Sequence, residues 1–377
     1  MKEKYTADDL IMVAKRENNQ KRSFLYVDPL QGKHVPVSPT KVLDVFGCLA
    51  EKVETAFPGE KLLIIGFAET ATAIGAALAC SLADVTAFMT TTRENVPDTE
   101  YLYFTESHSH ATEQRLALRG LAEHISSADR VVFAEDEVTT GSTIRKLINA
   151  LKEHFPELPL RFGIASLLNS MTDEALAGFA DDGIDCIWLA RIPFGYRISE
   201  TDGYVYEPLA TEPEKPHNAA AKELELHIPA NQRTATAAAH MRSCCNGFAE
   251  KAAASIALSG QTMDILVLGT EEFMYPGLLL GAELEKLGHS VKFHASTRSP
   301  IEVSLNEKYP LHRRFPLQSL YDPERRTFIY DLAGYDLAVI VTDAPEVSRE
   351  GLDSLTGALE ACGNDNIILI KWSDNDR

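Results

Sequence analysis

The residues best suited to chemistry lie in segment 130–144, where an apolar run ends in two adjacent acids, Glu135 and Asp136. Three residues later comes a run of small and hydroxyl-bearing residues, namely Thr139, Thr140, Gly141, Ser142 and Thr143. A helical pattern follows, so the order predicts a strand, a tight loop and a helix start. Such a loop offers backbone N–H groups, hydroxyls and a helix N-terminus to a phosphate, and the acids stand where sugar hydroxyls would lie. The segment therefore suits a ribose 5-phosphate.

An ordinary helix cap is the alternative explanation of the same segment. A cap needs only one Ser, Thr or Asp. Two adjacent acids at a strand end are unfavourable unless a cation or a hydroxyl-rich group meets them. Ligands of open α/β sheets bind at that edge. Ligand binding therefore accounts for more of the segment than a cap does.

The composition indicates a globular chain with two domains. Its 377 residues exceed one ordinary core, and 45% hydrophobic with 24% charged residues is typical of soluble proteins. No apolar run is long enough to cross a bilayer, and the first residues do not resemble a signal peptide. The six cysteines lack metal-ligand spacing, so we expect no metal centre and a cytoplasmic compartment.

The formal net charge of −19 restricts the partners that the chain can attract. Such a field disfavours nonspecific binding of nucleic acid and of anionic membranes. An anionic substrate must instead be captured by local donors, which favours a loop of backbone N–H groups together with a divalent cation that the substrate carries.

Apolar runs alternate with helical patterns, which predicts a parallel sheet covered by helices. In the first half, strands are expected at 61–66, 85–89, 130–134, 161–166 and 187–190. A Pro-rich stretch from about Tyr204 to His217 is typical of a linker, and a second series begins at Asp264. The predicted organisation is a first domain over 1–205, a linker over 206–225 and a second α/β domain over 226–377.

The second series repeats landmarks of the first. The matching pairs are Gly66 with Gly269, Arg93 with Arg298 and Asp136 with Asp343, which lie 203, 205 and 207 positions apart. The small drift predicts a duplicated fold with one diverged copy. The alternative, that any two βα units look alike, stays open at this point.

Segment 130–144 resembles the phosphoribosyl pyrophosphate (PRPP) motif of type I phosphoribosyltransferases, which is an apolar strand, two acids, two variable residues and then small-Thr-Gly-x-Thr. Glu135 stands where Asp is more usual. The resemblance implies that Glu135 and Asp136 face the ribose 2′- and 3′-hydroxyls. It also implies that residues 139–143 cradle the 5-phosphate and that Mg²⁺ arrives bound to PRPP.

The loop after the first core strand takes the position of that family's pyrophosphate loop. Its candidate residues are Ala68, Glu69, Thr70 and Ala71. Their backbone N–H groups at a helix start are reasonable donors to pyrophosphate. A simple strand-to-helix turn is the alternative.

Segment 90–111 matches the family's mobile catalytic loop in position. Arg93 is a candidate for holding pyrophosphate or for screening the charge that builds as it leaves. His108 and His110 are candidates for general acids or acceptor contacts. A polar surface loop is the alternative for this histidine pair, and a zinc site lacks a third ligand at useful spacing.

The N-terminal segment usually covers the acceptor base in this fold. Arg22, Lys33 and His34 are therefore candidate acceptor contacts, with an exposed turn as the alternative. Residues 194–196 (Phe-Gly-Tyr) either stack on a planar base or belong to the core.

The second domain is not expected to hold a phosphate. Its equivalent of the cradle, 346–350, contains two glutamates that would repel the ligand. Candidate polar residues there are Glu272, Thr297, Arg298 and Ser299. The Ser-Thr-Arg-Ser-Pro segment at 296–300 resembles the TRSP domain that follows a phosphoribosyltransferase domain in proteins linked to bacterial tellurite-resistance clusters. That family is placed near nucleoside-like biosynthesis by association.

The sequence thus predicts a type I phosphoribosyltransferase fold with a parallel sheet, followed by a second, diverged α/β domain. The expected activity is pentosyl transfer from PRPP to a base-like acceptor with release of pyrophosphate. A non-catalytic PRPP-binding regulator is the rival. A Rossmann nucleotide-binding protein is less favoured because Gly-x-Gly-x-x-Gly is absent after either first strand. The expected partners are PRPP, Mg²⁺ and a small-molecule acceptor, not nucleic acid or membrane, and a homodimer stays open.

Overall fold

A computed structural model describes residues 4–17, 22–104, 114–207, 221–256 and 260–374. The helices are α1 (Ala7–Leu10), α2 (Pro39–Ala56), α3 (Thr72–Ser81), α4 (Leu121–Ser127), α5 (Ser142–His154), α6 (Asp173–Asp181), α7 (Ala238–Ser255), α8 (Tyr275–Lys286) and α9 (Arg349–Glu360), with a 3-10 turn at Ile198–Gly203.

The strands of the first half are β1 (Met12–Lys15), β2 (Phe24–Val27), β3 (Leu62–Gly66), β4 (Val85–Thr90), β5 (Tyr101–Tyr103), β6 (Arg115–Ala117), β7 (Arg130–Val138), β8 (Phe162–Asn169) and β9 (Asp185–Arg191). Those of the second half are β10 (Lys222–His227), β11 (Thr236–Ala237), β12 (Asp264–Gly269), β13 (Ser290–Ala295), β14 (Arg314–Gln318), β15 (Arg326–Tyr330), β16 (Leu337–Thr342) and β17 (Ile367–Ser373).

The first of two compact units consists of Met1–Ala7, Asp44–Tyr196 and Ala230–Cys244. Its sheet has the strand order β11-β4-β3-β7-β8-β9, and every pairing is parallel except that of β11 with β4. The central strand β3 is buried along its whole length, as its unbroken apolar run requires in a sheet covered on both faces. The predicted parallel α/β fold is confirmed.

The second unit consists of Asp8–Leu43, Arg197–Pro229 and Cys245–Arg377. Its five-stranded sheet is parallel throughout, in the order β10-β17-β16-β12-β13, so the predicted second α/β domain is confirmed. Strand β10 begins inside the stretch predicted as a linker. The predicted domains are contiguous, whereas each unit is assembled from separated stretches of the chain.

The N-terminal hairpin of β1 and β2 packs within the second unit. It joins a buried apolar cluster whose members are Ala14, Val27, Ile301, Val303, Tyr309, Leu311, Phe328 and Tyr330. Backbone bonds between Val37 and Phe293, at 3.0 and 2.7 Å, hold the next part of the segment to β13. This N-terminal segment is therefore part of the second unit's core.

Four strands of each sheet share an order and a backbone register, with β4-β3-β7-β8 corresponding to β13-β12-β16-β17. Pairing across the strands makes these residues equivalent: Gly66 with Gly269, Thr90 with Ala295, and Ala134 with Val341. The spacings are the 203, 205 and 207 positions found in the sequence. Each sheet also has an acid directly before one of its central strands, Asp129 before β7 and Asp336 before β16. The Asp129 carboxylate accepts a 2.8 Å bond from the Lys61 N–H, and the Asp336 carboxylate accepts a 2.8 Å bond from the Asp264 N–H. These repeated details support the duplication.

Candidate functional site

The two acids continue strand β7 beyond the end of its neighbour. Ala134 is the last β7 residue paired with β3, opposite Gly66, whereas Glu135 still pairs with Ser166 of β8. Because β8 carries the pairing on to Val138, the strand is four residues longer than the predicted 130–134. Glu135 and Asp136 therefore lie at the carboxyl edge of the sheet, where open α/β folds bind their ligands.

The electrostatics of this pair are set by burial and by the repulsion between the two carboxyl groups. Both side chains are half-buried. Burial, and then the neighbouring charge of Asp136, raises the pKa of the Glu135 carboxyl well above its usual range. Neither carboxylate forms an ion pair with a residue in the described ranges. Hydroxyl donors or a cation would relieve the repulsion that the pair carries.

The loop after β7 places a helix N-terminus beside these acids. Helix α5 begins at Ser142, and its cap position falls on Gly141, whose φ of 66° is left-handed. The cap residue itself has no side chain to cap the helix, and no acid lies in the first turn. The Ser142 N–H donates to the Thr140 hydroxyl at 3.3 Å. The first N–H groups of a helix have no intrahelical partner, and the helix dipole adds to their attraction for anions. Neither acid caps the helix, whereas a threonine hydroxyl bonds one of its first amides. Phosphate binding by residues 139–143 stays a prediction.

Gly141 is required at this turn for two reasons. Few residues other than glycine adopt a φ of 66°. A Cβ at this position would also stand 2.5 Å from the Cε2 and Cζ atoms of Phe179, a buried residue of α6. The loop geometry is thus set by the packing of α6 behind it.

The candidate pyrophosphate loop bonds to the residue that follows β4 and to itself. The Ala68 N–H donates to Thr91 Oγ1 at 2.9 Å, and the Ala71 N–H donates to the Phe67 carbonyl at 3.0 Å. The peptide bond between Ala68 and Glu69 is cis. Two of the four amides that the sequence offered to pyrophosphate are therefore bonded within the protein. Pyrophosphate binding by residues 68–71 stays a prediction.

The candidate catalytic loop is based on a β-hairpin. Strands β5 and β6 pair antiparallel, and Thr92 exchanges backbone bonds of 2.9 and 3.1 Å with Arg115 at the base. Half-buried Arg93 follows Thr92 directly, so its backbone lies near the same sheet edge as the acids. His108 and His110 lie outside the described residues, and their roles stay predictions.

The N-terminal candidates do not form an exposed turn. Lys33 is fully buried in the second unit, where its Nζ donates to the carbonyls of Glu271 at 2.8 Å and Ser296 at 2.9 Å. The exposed-turn alternative was therefore wrong for Lys33. The Arg22 guanidinium lies 4.7 Å from the centre of the Phe24 ring. Phe194 is 58% exposed, so the core alternative was wrong for it.

The second unit gathers its polar residues at the equivalent sheet edge. Glu272 and Thr297 are fully buried, and the Ser299 N–H donates to Thr297 Oγ1 at 3.2 Å. Arg298 bonds to Glu271, Nε to Oε2 at 2.6 Å, and to Glu272 Oε1 at 3.4 Å. The adjacent glutamates Glu271 and Glu272 at this strand end therefore both contact the arginine, which only the fold shows.

In the second unit, the helix start equivalent to the phosphate cradle is capped by a side chain. Helix α9 is capped by its own Ser348, whose Oγ accepts a bond from the Gly351 N–H at 3.1 Å. Glu350 occupies its first turn. A self-capped helix with an acid at its start does not attract a phosphate.

Within the described ranges, no group of three or more His, Cys, Asp or Glu residues could hold a metal ion. Over the same part of the chain, the structure shows no helix both long and apolar enough to cross a membrane.

Comparison with solved structures finds partial similarities to phosphoribosyltransferases. The adenine enzyme of Rhodothermus marinus is 16% identical, with a TM-score of 0.34, over 49% of this chain and 96% of that one. The corresponding values for the Giardia lamblia adenine enzyme are 15%, 0.35, 49% and 96%. Those for the orotate enzyme of Aeropyrum pernix are 18%, 0.31, 51% and 92%. Similarities this distant say nothing about activity. A comparison with curated proteins finds no match.

Two family matches cover most of the chain. Residues 10–185 match the family described as phosphoribosyl transferase. Residues 233–359 match the family described as the TRSP domain C-terminal to it, and this match begins inside the stretch that packs in the first unit. With the fold and the acid–loop–helix site, these matches show that the chain belongs to the proteins in which a phosphoribosyl transferase domain is followed by a TRSP domain.

Proposed function

We propose that the chain transfers the 5-phosphoribosyl group of PRPP to a base-like acceptor and releases pyrophosphate. The observation that carries the proposal is the juxtaposition, within one strand–loop–helix unit, of an acid pair that forms no ion pair in the described ranges and a helix N-terminus whose cap residue is a glycine. The first suits the hydroxyls of a ribose and the second suits its 5-phosphate. The family match supports the same substrate.

In this reaction the bond from ribose C1 to pyrophosphate breaks, and its electron pair leaves with pyrophosphate. A lone pair of the acceptor forms the new bond to C1 from the opposite face, with inversion. The protein's contribution is positioning and charge screening, because the reacting centre becomes cation-like and needs no strong base.

Different residues along the sheet edge bind different parts of PRPP. Glu135 and Asp136 accept hydrogen bonds from the ribose hydroxyls. Residues 139–143, at the start of α5, hold the 5-phosphate. Loop 68–71 and Arg93 hold pyrophosphate and screen the charge that develops on it. Mg²⁺ enters with PRPP as part of the substrate. The half-buried carboxylates of Glu135 and Asp136 form no ion pair with a residue in the described ranges, which fits such a complex.

The experiment compares binding with turnover. Asp136→Asn should weaken PRPP binding by clearly more than the roughly 1 kcal/mol expected for a lost helix cap. Glu153→Gln, which removes an exposed charge from α5, is the matched control and should leave binding unchanged. An unchanged PRPP affinity in Asp136→Asn would contradict the site.

Pyrophosphate release then separates transfer from regulation. Wild-type protein is mixed with PRPP, Mg²⁺ and a panel of purine, pyrimidine and deazapurine bases. Acceptor-dependent release that is lost in Asp136→Asn supports the transferase. Tight PRPP binding with no release for any base would favour the regulatory protein instead.

A further inference from the structure

The second unit contains a buried carboxylate held by two arginines. Glu271 Oε2 accepts bonds from Arg298 Nε at 2.6 Å and from Arg325 at 2.9 Å. Its other oxygen, Oε1, accepts a short bond from the Ser319 hydroxyl. Glu271 is 1% exposed, and the two arginines reach it from separate elements, the end of β13 and the β14–β15 hairpin. Such convergence of cations and a hydroxyl is how proteins hold an oxyanion.

The backbone of Glu271 is fixed on both sides. Its N–H donates to Ser296 Oγ at 3.1 Å, and its carbonyl accepts from the buried Lys33 Nζ at 2.8 Å. Its φ of 50° lies in the left-handed region that non-glycine residues rarely adopt. These restraints aim the carboxylate at the two arginines.

The equivalent residue in the first unit is Ala68. The register places Glu271 and Ala68 203 positions apart, and both donate their N–H to the hydroxyl that follows the neighbouring strand, at 3.1 and 2.9 Å respectively. The same register makes Arg298 the equivalent of Arg93. The first unit thus has a methyl group where the second has a carboxylate beside its arginines.

We propose that the second unit carries an oxyanion site of the phosphate and pyrophosphate class, and that the chain's own Glu271 carboxylate occupies it. The comparison with Arg93 rests on the proposed function, whereas the contacts around Glu271 do not. With Glu271 in place the site takes no exogenous anion, so each chain binds a single PRPP. The self-capped start of α9 closes the other end of the same edge.

The ion-pair distances of the cluster support this assignment. Glu271 lies 2.6 Å from Arg298 and 2.9 Å from Arg325, closer than Glu272 at 3.4 Å and Asp322 at 3.7 Å. The two arginine side chains are 13% and 15% exposed, so removing the Glu271 carboxylate takes a close negative charge from two largely buried cations. Loss of an ion partner in a buried place is unfavourable, and an oxyanion from solvent should replace the lost carboxylate.

The test is Glu271→Gly, because glycine removes the side chain and accepts the left-handed backbone. Calorimetric titration with pyrophosphate should show one more bound pyrophosphate per chain than in the wild type. The added site should disappear in Glu271→Gly/Arg298→Gln. Glu271→Gln is the matched control, since it fills the same space without the charge, and it should show no added site.

Two outcomes overturn the proposal: folded Glu271→Gly that binds no more pyrophosphate than wild type, or an added site that persists in the double variant. If Glu271→Gly is unstable, its melting temperature is compared in phosphate and in chloride of equal ionic strength. Stabilisation by phosphate beyond that of wild type supports the site, and equal instability in both buffers overturns it. The added pyrophosphate binding, or the added stabilisation by phosphate, is measured relative to wild type. The result therefore does not depend on whether the first unit turns over PRPP.

Discussion

Gly141→Ala tests whether the phosphate loop is shaped by the packing behind it. The added Cβ would stand 2.5 Å from two ring atoms of Phe179, and φ would stay at 66°. The left-handed backbone costs a non-glycine residue about 1–2 kcal/mol, and overpacking a buried site costs about 1–3 kcal/mol. We therefore expect the free energy of unfolding to fall by about 2–5 kcal/mol.

Urea unfolding of purified variants measures this change. Gly47→Ala is the matched control, because Gly47 lies inside α2 and a Cβ there meets no atom within 4 Å. It should stabilise the protein by about 0.5–1 kcal/mol. PRPP affinity should fall in Gly141→Ala, since relieving the clash moves the amides that face the phosphate, and it should not change in Gly47→Ala.

A double-mutant cycle isolates the contact. Phe179→Leu shortens the side chain that the new Cβ meets, so Gly141→Ala/Phe179→Leu should recover part of the loss. Strictly additive losses would show that the Phe179 contact does not shape the loop. A Gly141→Ala protein as stable as wild type would refute the reasoning altogether.

Three further changes probe the same unit. Glu135→Gln should make the unliganded protein more stable at neutral pH while weakening PRPP binding. The raised pKa of Glu135 means that its contribution to stability is present below its unfolded pKa and is lost as pH rises through the folded one; unfolding measured against pH should lose this dependence in the variant. Ala68→Glu should abolish pyrophosphate binding far more than Ala68→Gln, as titration can show, and equal effects would indicate mere crowding. Arg242→Met should cost about 1–3 kcal/mol, seen in urea unfolding, because Arg242 bonds the Leu82 carbonyl at 2.9 Å at the end of α3.

The strand, loop and helix that carry the candidate site could be predicted because their signals are local. The apolar run, the acid pair and Gly141 follow one another within a dozen residues, and each acts on its own stretch of backbone. The length of β7 could not be read in this way. The strand runs on to Val138 because β8, some thirty residues later, continues to pair with it.

By itself the sequence determined the alternation of strands and helices, the repeat spacing of its two halves and the order acid pair, glycine loop, helix. These depend on periodicity and on backbone preferences of neighbouring residues. Tertiary structure alone decided that Lys33 is buried against Glu271 and Ser296, that Ala68 donates to Thr91, and that the Glu271 carboxylate meets Arg298 and Arg325. Those contacts join residues more than twenty positions apart, and no local preference specifies which of two adjacent side chains a distant partner will reach.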